Sequence, residues 1–76
     1  METIYRELAQ FMAETIEDYE LRCQLALKKI GRNRCSLQQA DNSLYNQMYD
    51  ATEEYIIDNE LDIEIDEIDI ETIFFN

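Results

Sequence analysis

A chain of 76 residues with one glycine, Gly31, and no proline has little with which to reverse a strand. Tight hairpins draw on Asn-Gly, Asp-Gly or Gly-X pairs for positive φ, and β-turns draw on Pro and Gly. A helix needs neither inside its length. The fold class this predicts is mainly α. One domain is expected over 1–76, and a domain this small buries only about 60% of its unfolded surface.

Apolar residues at Tyr5, Leu8, Met12, Ile16, Tyr19, Cys23, Ala26 and Ile30 step by three and four, the helical repeat. The spacing predicts a first helix over about 2–30. Glu2 and Glu7 lead it, Lys28 and Lys29 fall in its last turn, and Gly31 follows as a left-handed cap. A turn over 31–35 comes next. Ser36 with Gln39 three residues on is a capping-box pair, so a second helix is expected over about 36–59.

The second helix carries two apolar stripes. One is Leu37, Ala40, Leu44, Met48, Ala51 and Tyr55; beside it run Tyr45, Tyr49, Thr52 and Ile56. Together they are wider than one neighbouring helix covers. A five-residue connection makes the two helices antiparallel neighbours. Folding the chain about Asn33 sets Ala26 near Ala40, Tyr19 near Met48 and Met12 near Tyr55. The same register holds Cys23 and Cys35 beyond disulfide reach, so both are expected as free thiols.

Residues 60–76 form the third part. In LDIEIDEIDIETIFFN, from Leu61 to Asn76, isoleucines alternate with carboxylates, and the alternation slips at Asp66-Glu67. Asp69 before Ile70, with Glu71 in the next position, reads as the N-cap of a short helical turn over Ile70 to Phe75. The architecture expected is therefore an antiparallel two-helix hairpin with this segment packed on it, extended first and then helical. Ile4, Phe11, Ile56, Tyr49 and Tyr45 are the expected docking groove for its isoleucines, Phe74 and Phe75.

The charge is lopsided. Residues 1–34 hold six basic and six acidic side chains, whereas residues 35–76 hold twelve acidic and none basic, so the second half carries the whole net charge of −12. Such a surface repels nucleic acid and anionic membrane and favours basic partners. Direct binding to nucleic acid or membrane is not expected. METIYRELAQ has no basic region followed by an apolar run, and the chain has no apolar stretch of membrane-spanning length. A cytoplasmic location is the expectation.

Catalysis has little to draw on. There is no histidine to titrate near neutrality and none to pair with a cysteine. Cys23 lies on the apolar seam, and Cys35 reads as a loop thiol. Asp58, Glu60, Asp62 and Asp69 have the spacing of some calcium-loop donors. Yet Ile63 stands where that loop needs glycine, and Asp69 stands where it needs a bidentate Glu. No catalytic residue, metal site or cofactor is expected, and the chain is not read as an enzyme.

The candidate partner-binding residues are Asp58, Glu60, Asp62, Glu64, Asp66, Glu67, Asp69 and Glu71. If residues 62–71 were extended, six charges would span about 33 Å, a density of the order of a nucleic-acid strand, which has one per ~3.4 Å. In size and charge the chain resembles the nucleic-acid mimics of phages and mobile elements, including restriction and CRISPR inhibitors, a resemblance of composition. It implies an inhibitor or regulator that occupies a basic, nucleic-acid-binding surface of a partner protein. The rival reading is a helical oligomerisation or adaptor module. There Tyr45, Tyr49 and Ile56 would form a homodimer interface, and the acidity would serve solubility alone.

Overall fold

A computed structural model describes residues 2–75; Met1 and Asn76, the two ends of the expected domain, lie outside the described residues. The chain is mainly helical, with no strand among those residues. It forms α1 (Glu2–Thr15), α2 (Tyr19–Asn33), α3 (Leu37–Ala40), α4 (Asn42–Asp58), a 3₁₀ turn (Ile65–Glu67) and α5 (Ile70–Phe74). The molecule measures 38 × 22 × 20 Å.

The single helix expected over 2–30 is two helices. α1 ends with Ile16 N–H donating to the Met12 carbonyl at 2.8 Å, and α2 begins with Arg22 N–H on the Asp18 carbonyl at 2.9 Å. Between them Asp18 takes a left-handed conformation, φ 55° and ψ 32°. Glu14, Glu17, Asp18 and Glu20 crowd this point. In one continuous helix they would repel at i,i+3 and i,i+4 spacing. The break also turns Glu20 into a first-turn acid of α2, where the helix dipole favours it. Asp tolerates the left-handed region better than most residues.

α2 also runs past its expected cap. Gly31 lies inside the helix, and Arg34 is the left-handed residue, at φ 51° and ψ 47°. Chain direction is then reset by Ser36. Its hydroxyl accepts from Gln39 N–H at 3.2 Å while Gln39 Oε1 accepts from Ser36 N–H at 2.9 Å, a complete capping box.

The helix expected over 36–59 is likewise two. Asp41, at φ −153°, interrupts it after one turn and becomes the N-cap of α4, its Oδ1 accepting from Leu44 N–H at 3.0 Å. α4 ends in a Schellman motif built on a non-glycine. Glu60 sits at φ 52°, Leu61 N–H reaches the Ile56 carbonyl at 3.0 Å, and Glu60 N–H reaches Ile57 at 3.1 Å. This turn sends the tail back onto the helices.

Leu8 and Met12 of α1, Leu37 of α3, and Leu44 and Met48 of α4 are fully buried, and the tail adds Ile68, Ile70, Ile73 and Phe74 to the same core. Contacts step backwards along α4 as the chain advances through α1 and α2. Glu7 and Phe11 meet Tyr55, whereas Arg22 meets Gln47 and Ser43. The one buried polar residue among those described, Thr52, donates its hydroxyl to the Met48 carbonyl at 2.8 Å. Cys23 and Cys35 are free.

Candidate acidic interaction surface

Residues 62–71 do not run straight; the chain folds there. Leu61 to Glu64 are irregular, and the 3₁₀ turn starts where the apolar–acidic alternation slips. Glu67 closes that turn by accepting from Glu64 N–H at 2.9 Å. The even charge spacing of an extended strand is therefore absent, because Ile65 and Ile68 both turn toward the core. Asp69 N–H then donates to the Tyr5 hydroxyl at 3.3 Å, and Asp69 Oδ1 caps α5 through Glu71 N–H at 3.1 Å.

The eight candidate carboxylates accordingly divide into two sets. Asp58, Glu60, Asp62, Glu64 and Asp66 are exposed, as are Glu67 and Asp69. Glu67 and Asp69, however, each commit one oxygen to a local backbone N–H. Glu71 is half-buried, its Oε1 accepting from Leu37 N–H at 3.1 Å, so it ties the tail to α3 and faces inward.

The tail and α4 share one acidic neighbourhood, centred on Tyr49. Its phenol is held above the ordinary tyrosine value, first by partial burial and then by the charges of Asp66, Glu53 and Asp50. Asp66 comes from the 3₁₀ turn; Asp50 and Glu53 come from α4. That convergence could not be read from sequence, since it depends on the Glu60 turn folding the tail back. Among the described residues one ion pair forms, Arg22 to Asp41 at 3.9 Å. Every other carboxylate of the second half lacks a basic partner within ion-pair distance among those residues.

The apolar stripe offered as a dimer interface is mostly spent inside the chain. Ile56 is buried, and Tyr45 and Tyr49 pack partly buried against the core, beside the returning tail. The Phe11 ring packs tilted against Tyr55, at 5.2 Å and 57°. Phe74 lies against a cavity lined by Ala9, Ala13, Tyr19 and Cys23, and Phe75 is exposed. Burial raises the Tyr19 phenol and the Cys23 thiol above their ordinary values, which suits Cys23 as a packing residue and not a nucleophile.

Among the described residues no group of three or more Cys, Asp or Glu side chains could hold a metal ion, and no helix is long and apolar enough to cross a membrane. No protein-family model, no curated protein and no solved structure matches the chain.

Proposed function

We propose that this chain is a small acidic protein-binding protein, an inhibitor or regulator that occupies a basic surface of a partner protein. The observation that carries the reading is that Asp66 of the tail and Glu53 and Asp50 of α4 all act on Tyr49, with none of the three in an ion pair among the described residues. A tyrosine under the influence of carboxylates from its own helix and from the tail suits arginine and lysine well. The ring face attracts the cation, and the exposed acids supply charge-assisted acceptors. Neighbouring Asp62 and Glu64 extend the anionic field, which speeds encounter with a basic surface. A surface that ordinarily binds nucleic acid has the required charge.

The adaptor reading through Tyr45, Tyr49 and Ile56 has less support, because burial of Ile56 removes the apolar centre such an interface needs.

The test is affinity capture from the source cell at about 0.05 M and 0.5 M salt, where the screening length falls severalfold, with the bound proteins identified. A basic partner should be captured at low salt and largely lost at high salt. The Asp62→Asn/Glu64→Gln/Asp66→Asn variant, which leaves the Glu67 cap intact, should lose it as well. Capture that ignores both salt and these substitutions overturns the proposal.

A further inference from the structure

α2 is two-faced in a way that its own chain does not use. Ala26 is buried and Tyr19, Cys23 and Ile30 are half-buried toward the core, while Leu21 and Leu25 on the opposite side are each 56% exposed. Asp18, Leu21, Leu25, Lys28 and Arg32 step by three, four, three and four along that outer side, the spacing of a coiled-coil seam. All five are exposed.

The charges along this seam have a direction. Glu17, Asp18 and Glu20 mark the start of α2, whereas Lys28, Lys29, Arg32 and Arg34 mark its end. A parallel neighbour of the same sequence would set like against like. An antiparallel neighbour sets acid against base at both ends. Arg22 takes no part, since it is engaged with Gln47, Ser43 and Asp41 of its own chain.

We infer that the outer face of α2 is the interface of an antiparallel homodimer. With the two-fold axis near position 23, Leu21 of one copy meets Leu25 of the other, and the four leucines close a short apolar seam. Lys28 then meets Asp18 of the second copy at each end. This is the part of the molecule where basic side chains are concentrated, so it is where two copies of a chain of net charge −12 can approach. None of these residues belongs to the surface around Tyr49, and the dimer carries that surface twice. The seam is short, about 15 Å from Asp18 to Lys28. Its buried area falls in the small class, below about 1,200 Å², so association is weak and concentration-dependent.

Sedimentation equilibrium on the full chain, from about 10 μM to 1 mM, the range in which a weak interface populates both states, tests this. The wild type should fit a monomer–dimer equilibrium. Leu25→Glu should raise the dissociation constant at least about tenfold while keeping the helical circular dichroism of the wild type, because the site is exposed. Lys28→Glu should weaken the dimer, and Asp18→Lys added to it should restore association. A wild type that stays monomeric throughout overturns the inference. So does a dimer that Leu25→Glu leaves intact but Tyr49→Glu dissolves, or a charge swap that restores nothing in a folded protein.

Discussion

The backbone N–H of Leu37 donates to Oε1 of Glu71 at 3.1 Å, across 34 positions of the chain. Leu37 opens α3, where Gln39 N–H is already satisfied by Ser36, and Glu71 supplies the acceptor that this next free N–H needs. An acidic residue that reads as part of an anionic surface thus serves as a structural tie. Hydrogen bonds to charged groups contribute about 1.5–3 kcal/mol. Glu71→Ala should lower the free energy of unfolding by about 1–2 kcal/mol, and Glu71→Gln should recover part of it. Urea denaturation reads both, and an unchanged midpoint for Glu71→Ala would remove the tie from the account.

Deleting residues 61–76 should unfold the protein. The tail contributes Ile68, Ile70, Ile73 and Phe74 to the core. At about 1.5 kcal/mol or more for each large side chain, four of them are worth about 6 kcal/mol, the scale of a small domain's whole stability. The loss would also uncover part of the core face of α1. Circular dichroism of the truncated chain measures this; a cooperative thermal transition near that of the intact protein would show the tail to be an appendage.

Glu60 sits at φ 52° without the freedom of glycine, and its carboxylate stands at the C-terminal, negative end of α4. Glu60→Gly relieves both penalties and should stabilise by about 0.5–1 kcal/mol after the extra unfolded-state entropy of glycine is deducted. That is a rise in Tm of about 2–8 °C for a domain of this size. Glu60→Ala removes the charge but keeps the strain, so it should gain less. Equal Tm values for the two variants would show that the left-handed turn is not strained.

Stability should fall as the solution becomes strongly alkaline. Burial, followed by the Cys23 thiol beside it, holds the Tyr19 phenol well above its ordinary value of 10.0. Above pH 10 the unfolded chain gives up that proton while the native state keeps it, so the native state binds more protons and unfolding is favoured with rising pH. Tyr49 and Tyr55 shift the same way, Tyr55 through burial and its hydrogen bond to Glu7. Thermal unfolding followed from pH 8 to about 11, the range that crosses the tyrosine value, should show Tm dropping above pH 10. Tyr19→Phe should flatten that drop; an identical slope would place the titrating group elsewhere.

Local signals in the sequence were legible wherever the deciding residues lie within one helical turn. The three-and-four spacing marks the helical stretches, Ser36 with Gln39 marks a helix start, and Asp69 marks the last short helix. Two further breaks had local signals that outweighed the apolar period. The acids from Glu14 to Glu20 oppose a continuous helix, and Asp41 three residues before Leu44 fits an N-cap. The free outer face of α2 is also written in its spacing, but the inward seam through Tyr19, Cys23 and Ala26 masks it.

What the sequence by itself determined is the mainly helical class, the short-range caps, and a second half carrying twelve acids and no base. Only the tertiary structure decided which of those acids look outward. That choice turns on Asp18, Arg34 and Glu60 adopting left-handed backbone without glycine. Each such residue costs about 1 kcal/mol locally, and nothing near Arg34 or Glu60 in sequence predicts it. The cost is outweighed by distant burial: the Glu60 turn lets Ile68, Ile70, Ile73 and Phe74 reach the core. Once the isoleucines are placed, Glu71 is drawn in to Leu37 and Asp66 is set beside Tyr49.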